Sequence, residues 1–261
     1  MAPLSPPSSE PETADLDMET EPTGAGLPVA AKEARQPLPA NAEIELKLAC
    51  EPDALERLRR AAPITEAAQG RSRKQSLETV YYDTPDRALL QRRAALRVRS
   101  QGQSFTQTLK TEESTGGIRR GEWNVPVGSI LPDLAALADT EAAGLLEGTA
   151  NRLAPLFATR MERTTRQLTV ETDGAAGDIE IAFDRGSIEA GEGRAPISEV
   201  ELELKAGSPA ALYRFAARLN EAAPLHIETL SKAARGYRLA GVTELPVEKK
   251  PDPGFGPDAT V

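Results

Sequence analysis

The sequence predicts an α+β fold dominated by an antiparallel sheet, with eight strands that could close into a barrel. Two short runs are the first observation behind this expectation. Glu43-Ile44-Glu45-Leu46-Lys47 and Glu199-Val200-Glu201-Leu202-Glu203-Leu204-Lys205 alternate charged and aliphatic residues along their whole length. Successive side chains of a strand point to opposite faces, so each run has one charged and one aliphatic face. The second observation is that one-sided charge recurs in several other alternating segments. The third is a small set of helical patterns whose apolar stripes need a surface to cover.

Taken in order, alternation predicts strands at about 43–49, 76–83, 94–101, 104–111 and 119–127, then at about 157–171, 178–190 and 196–205. Gln101-Gly102-Gln103 and Ser114-Thr115-Gly116-Gly117 read as turns between neighbouring strands. Gly186, just after Asp184, predicts a bend or bulge. Helical patterns cover 52–61, opened by Pro52-Asp53, and 132–147, opened by Pro132-Asp133. Two more cover 208–222, with Ser208 as N-cap and Pro209 at N1, and 229–240. Eight strands in antiparallel hairpins can close and so leave no exposed edge.

The flanks read differently. Residues 1 to about 40 are rich in Pro, Ala, Glu, Ser and Thr, with no periodic apolar pattern, which predicts a disordered acidic tail. The stretch from about 242 to 261, with Lys249-Lys250-Pro251-Asp252-Pro253, reads as a second disordered tail. Residues 41–241 are then one folded domain. Of the 261 residues, 39% are hydrophobic and 27% charged, as expected of a globular protein with a core. The net charge of −9 argues against nucleic acid or an anionic membrane as partner. Arg92, Arg93, Arg97, Arg99, Lys110 and Arg119 nevertheless concentrate positive charge locally, which leaves room for an anion site. A single cysteine, Cys50, excludes an intramolecular disulfide and a cysteine-cluster metal site. No apolar run reaches the length of a membrane span, and no secretory signal is evident, so a cytoplasmic location is expected.

Parity sorts the charges. Arg97 and Arg99 share one face of their strand, with Leu96 and Val98 opposite; Thr108 and Lys110 share another, with Leu109 opposite. Glu180, Ala182 and Asp184 share a third, against Ile179 and Ile181. Two arrangements accommodate this. Either the charges form the solvated outside of a barrel filled with aliphatic residues, or they line a wet tunnel while the aliphatic faces pack against external helices. A dry, unpaired charged interior is excluded by its desolvation cost. A tunnel of this kind suits bases that grip phosphate oxygens and carboxylates that hold a hard cation.

The ordered set of motifs resembles the CYTH superfamily, also called triphosphate tunnel metalloenzymes. The resemblance rests on Glu43-x-Glu45-x-Lys47, Tyr81-Tyr82-Asp83-Thr84-Pro85, Leu96-Arg97-Val98-Arg99 and Thr108-Leu109-Lys110. It continues through Arg120-Gly121-Glu122, Phe183-Asp184-Arg185-Gly186, Glu199-x-Glu201-x-Glu203-Leu204-Lys205 and Ser231-Lys232-Ala233. It covers about residues 41–241. It implies an eight-stranded antiparallel barrel, the triphosphate tunnel fold, with helices packed outside and the charged faces inward. It implies Glu43, Glu45, Glu201, Glu203 and Asp184 as metal ligands for Mg²⁺ or Mn²⁺, with Glu199 and Glu122 as further contributors. It further implies Lys47, Arg97, Arg99, Lys110, Arg120, Arg163, Lys205 and Lys232 as substrate-binding residues, and Glu43, Glu45 and Lys47 as the catalytic set. Arg160 and Arg163 have opposite parity, so only one faces the tunnel, and Arg163 is preferred.

The resemblance implies metal-assisted hydrolysis of a phosphoanhydride, with inorganic tripolyphosphate split to pyrophosphate and phosphate as the first choice. Thiamine triphosphatase and class IV adenylate cyclase share the fold, but aromatics make up only 4% of the chain and offer no cage for a base or thiamine. A non-catalytic polyphosphate-binding module is the remaining alternative. The helical histidine-rich CHAD domain that often follows such a domain is not expected, since the chain holds one histidine, His226. The expected partner is a small-molecule triphosphate, with the chain as a monomer or homodimer. Outside this set, His226, Cys50 and Trp123 read as surface, half-buried and packing residues. Arg71, Arg73 and Lys74 read as a mobile loop at a tunnel mouth or as exposed charge.

Overall fold

Alternating segments become long antiparallel strands in a computed structural model that describes residues 44–111 and 121–242. The strands are β1 (Ile44–Ala49), β2 (Ala68–Asp83), β3 (Ala94–Gln101), β4 (Ser104–Thr111) and β5 (Glu122–Val127), followed by β6 (Ala154–Thr172), β7 (Ala175–Ala190), β8 (Gly193–Gly207) and the two-residue β9 (His226–Ile227). They pair in the order β5-β4-β3-β2-β6-β7-β8-β1-β9. Every pairing is antiparallel. The sheet is barrel-like rather than closed: among the described residues no ladder joins β5 to β1 or β9. The β6–β7 hairpin turns at Asp173-Gly174, both with positive φ (45° and 79°), the geometry whose twist matches that of the flanking strands.

The aliphatic faces are covered by short helices. Helices α1 (Pro52–Leu58), α2 (Ala62–Ala67) and α4 (Pro209–Ala222) lie over β1 and β6–β8, and α3 (Ala88–Gln91) sits at the end of β2. Leu55, Leu58 and Ile64 join Leu212, Phe215 and Leu219 against Ile179, Ile181, Leu202 and Leu204 in one core. A second core buries Leu96, Val98 and Leu109 under Leu137 and Leu146. Each such side chain contributes about 1.5–3 kcal/mol by leaving water, so the aliphatic parity of the strands commits the charged parity to the other face. Ser208 caps α4 as its sequence predicts, its hydroxyl accepting from the Ala210 amide at 3.2 Å.

The structure departs from the sequence reading at several points, among them a ninth strand and the separate helix Ala62–Ala67. The segment 132–147 forms two 3₁₀ turns, Leu134–Leu137 and Ala143–Leu146, instead of one α-helix. Gly186 lies in an unbroken part of the ladder, opposite Met161 and Ile197. A Cβ there would stand 2.1 Å from the Arg160 carbonyl oxygen, so close strand approach, and no bulge, explains the glycine. Arg71, Arg73 and Lys74 are exposed, as one of their two readings had it, but they belong to β2, which begins eight residues before the predicted strand, and not to a loop. Finally α5 (Lys232–Leu239) packs on the charged face, where Tyr237 meets Phe157 edge-on and joins Leu77, Met161 and Ile197 in a third core. No helix among the described residues is long and apolar enough to cross a membrane.

Candidate active site

The register carries the charged residues onto one face. Lys47 lies opposite Glu201 and Glu45 opposite Glu203 across β1–β8. Glu199 then faces Asp184, and Glu203 faces Glu180, across β7–β8. Asp184 in turn faces Arg163 across β6–β7. On the other side of β2, Arg97 lies opposite Tyr81 and Thr108, Arg99 opposite Thr79 and Thr106, and Lys110 opposite Glu122. One continuous surface therefore carries an acidic end on β7–β8 and a basic end on β3–β4.

The acidic end is densely paired. Asp184 is fully buried and accepts a bidentate pair from Arg163, at 2.7 Å to Nε and 2.6 Å to Nη2. Arg163 also reaches Glu201 at 2.5 Å. Lys232, from the first turn of α5, places its Nζ 2.8 Å from Asp184 and 2.7 Å from Glu201, and it also binds Glu199. Arg235, one turn further along α5, holds the other oxygen of Glu199 at 2.8 Å. Burial opposes the charge on Glu201, but Lys232 and Arg163 overcome it and hold its carboxyl down at about 2. Burial likewise opposes the charges on Lys232 and Arg163, and the surrounding carboxylates raise both groups above their ordinary values.

The position of α5 depends on a second polar anchor. Asp83, 1% exposed, accepts from the amides of Thr84, Leu89 and Leu90 at 2.7, 2.9 and 3.1 Å, and from the Tyr237 hydroxyl at 2.9 Å. Burial first, then the Asp83 charge, pushes the Tyr237 phenol above its usual value, so it remains a donor. Asp83 thus ties the start of α3 to the helix that presents Lys232 and Arg235.

The basic end is poorly compensated. Among the described residues no ion pair reaches Arg97 or Arg99, and the Arg97 Nε is buried without a hydrogen-bond partner. Among the described residues Arg99 donates to the Thr79 hydroxyl alone, at 3.3 Å. Burial and then the neighbouring Arg97 push the Arg99 guanidinium down to about 10. Lys110 pairs with Glu122 at 3.0 Å, and Asn124 also donates to Glu122 at 3.1 Å. Despite its burial, those two neighbours hold the Glu122 carboxyl below its usual range. Two guanidinium groups on one half-buried wall form a site electrostatically prepared for a polyanion.

The remaining expected residues occupy definite places. Glu45 and Lys47 lie 4.0 Å apart on β1, both about a quarter exposed. Glu203 and Lys205 pair at 2.6 Å toward the far end of β8 from Glu199, and both are exposed enough to stand at the rim. Arg163 shares the face of Asp184, whereas Arg160 lies on the opposite face and pairs with Glu78 and Glu189. Glu43 and Arg120 fall outside the described residues. The sequence reading gave no site role to Arg235, Asp83 or Tyr237, although Asp83 stands in one of its motifs. For Arg235 a signal existed, since it follows Lys232 by three residues and so shares its helix face.

A carboxylate cluster here matches the donor chemistry of a hard divalent cation. Asp184, Glu199 and Glu201 each offer an oxygen within 4.8 Å of the others. Three cations, Arg163, Lys232 and Arg235, already neutralise those three charges. A metal at this set would therefore compete with the Lys232 ammonium, while Glu45 and Glu203 lie in the adjoining rows of β1 and β8.

Comparison with known proteins agrees with this architecture. A family model described as the CYTH domain matches residues 41–237. An inorganic triphosphatase from Haemophilus influenzae is 34% identical over 203 residues, which are 76% of this chain and 54% of that protein. The chain thus spans about half the length of that curated relative. Among solved structures, a Hippeastrum protein assigned as an adenylyl cyclase, and described as having a dominant triphosphatase activity, superposes with a TM-score of 0.50 at 18% identity. It covers 76% of this chain and 96% of its own. A protein from Pyrococcus horikoshii superposes with a TM-score of 0.44 at 18% identity, over 76% of this chain and 99% of its own. By family model and by curated relative, the chain belongs to the CYTH family.

Proposed function

We propose that this chain is a metal-dependent triphosphatase that splits inorganic tripolyphosphate to pyrophosphate and phosphate. The observation that carries the reading is that Arg97 and Arg99, which no ion pair reaches among the described residues, share a face with a buried carboxylate cluster. A polyanion lying along that face would meet guanidinium forks that match its oxygens bidentately. Lys47, Lys110, Arg163, Lys205 and Lys232, with Arg120, would bind further oxygens and fix the chain for in-line attack.

Glu43, Glu45, Glu201, Glu203 and Asp184, with Glu199 beside them, would hold Mg²⁺ or Mn²⁺. Such an ion, once bound, polarises phosphoryl oxygens and neutralises charge that develops on them. Arg97 and Arg99 provide fixed positive charge in the same place without reorganisation. A carboxylate of β1, Glu45, would orient the attacking water, and Lys47 beside it would steady the phosphate being transferred.

Inorganic substrate is favoured over a nucleotide or thiamine by the fate of the aromatics. On the charged face Tyr81 is buried and stacks on Phe157 at 4.4 Å, which in turn meets Tyr237 at 5.4 Å. Trp123 packs against the second core on the other face. No exposed ring among the described residues of this face is left to receive a base. The test is phosphate release from tripolyphosphate, ATP and thiamine triphosphate, each with Mg²⁺ and Mn²⁺. Tripolyphosphate should turn over fastest, and Glu45→Gln should reduce that turnover about 100-fold or more, the scale of losing one transition-state contact. Absence of turnover on all three substrates would sink the hydrolase reading in favour of a binding module.

A further inference from the structure

A cavity with basic walls lies on the opposite side of the sheet. A cavity of about 200 Å³ opens where α1 and α2 meet β2 and β6. Arg59 and Arg60, just past the end of α1, form one wall; Thr164 and Arg166 of β6 form another. The parity of β6 sets Thr164 and Arg166 against Arg163, so this cavity faces away from Asp184 and the acidic cluster. Its floor is Ile64 and Phe183, both buried members of the first core.

The opening follows from an irregular ladder. Gln69 pairs with Gln167 and Arg73 with Thr165, so three residues of β2 stand against Arg166 alone. Gly70 takes a positive φ of 63° within this bulge, and Ser72 turns its hydroxyl-bearing residue to the cavity rim. Arg166 gains little from the arrangement. Its Nε is buried with no hydrogen-bond partner, and one terminal nitrogen makes only a 3.5 Å contact to the Gly70 carbonyl. A guanidinium donor left unmet in a buried position is costly, and a bound acceptor would remove that cost.

Charge balance points the same way. Glu56 is the one acid at the cavity, and it already accepts from Arg59 at 3.2 Å. Arg60 makes no ion pair among the described residues, which leaves Arg60 and Arg166 as uncompensated cations beside an apolar floor. Two guanidinium groups with the hydroxyls of Thr164 and Ser72 provide the donors a tetrahedral oxyanion requires. The volume is small, and the Phe183 ring at its floor is 4% exposed, too little for a base to stack on.

We propose that this cavity is a binding site for a small phosphate oxyanion, orthophosphate or pyrophosphate, separate from the charged face. The inference stands on the cavity alone and does not depend on the triphosphatase reading. It is tested with the full chain carrying ¹⁵N-labelled arginine, by following the Nε–Hε resonance of Arg166, assigned through Arg166→Lys. Titration with orthophosphate and with pyrophosphate, against chloride at matched ionic strength, should give a saturable shift at Arg166 that chloride does not reproduce. Arg60→Ala should weaken that binding about 10-fold, or 1.4 kcal/mol, while Arg97→Gln should leave it unchanged. A resonance that stays still while those of Arg97 and Arg99 move, or one that chloride shifts equally, overturns the proposal. Because the wild-type titration decides the question, a variant that fails to fold does not obscure it.

Discussion

At one end of the charged face Asp184 is wholly buried yet holds Arg163 and Lys232 at 2.6 and 2.8 Å; at the other, Arg97 and Arg99 lie together with no carboxylate in contact among the described residues. Both ends are desolvated and both use the same residue types. They differ in satisfaction. The acidic end has matched its three carboxylates with three cations, two of them delivered by α5. The basic end carries an electrostatic cost, visible in the depressed Arg99, that an arriving polyanion would relieve. The contrast separates two kinds of buried charge: at the acidic end a ligand must displace partners already in place, and at the basic end it meets charge that no ion pair reaches among the described residues.

Removing one side of the paired cluster should have the largest effect. Asp184→Asn leaves Arg163 and Lys232 buried beside an uncharged amide, and should cost about 3–5 kcal/mol of stability, read by urea denaturation. A loss under about 1 kcal/mol would mean the acidic end is not structural. At the basic end the pattern should invert. Arg97→Gln should lower kcat/KM for tripolyphosphate about 100-fold, near 2.7 kcal/mol, while stability holds or rises because Arg99 loses a like-charged neighbour. If Arg97→Gln destabilised the protein as Asp184→Asn does, the distinction between the two ends would fail.

A subtler test uses acid. The Glu201 carboxyl has an ordinary value of 4.5 and is held at about 2 in the fold. A folded value below the unfolded one means that the stability it contributes is fully present above about 4.5 and is lost as the pH falls toward 2. In EDTA-treated protein, Glu201→Gln should flatten the stability profile across that window; an unchanged slope would show that other acids control it. The smallest effect belongs to the rim. Lys205 and Glu203 are 41% and 36% exposed, so Lys205→Ala should change stability by less than about 1 kcal/mol, measured by thermal melting.

Much of the sheet was legible because most strands carry their burial pattern in plain alternation. Leu96, Val98 and Leu109 had to share a buried side, and their charged neighbours had to share the other. The start of β2 was illegible for the same reason: Gln69 to Ser76 contains no aliphatic residue, so no alternation marks it. The 132–147 segment misled because its alanines and leucines satisfy a helical period, while its docking over the second core favours two tight turns. The face of Arg163 followed from parity once its strand was in register. Arg235, Asp83 and Tyr237 escaped because their roles arise between elements that are far apart in sequence. Asp83 and Tyr237 are separated by 154 residues.

By itself the sequence determined which residues share a face, where most strands begin and end, and which side chains could act on a phosphate or a cation. Those follow from local periodicity and from the chemistry of each residue type. Only the tertiary structure decided that α5 packs on the charged face, that Lys232 and Arg235 neutralise the acidic cluster, and that no ion pair reaches Arg97 among the described residues. It alone also formed the Arg59, Arg60 and Arg166 cavity on the far side of the sheet. The physical reason is that pairing energy depends on distance and desolvation, and both are set by which distant segments meet when the core closes.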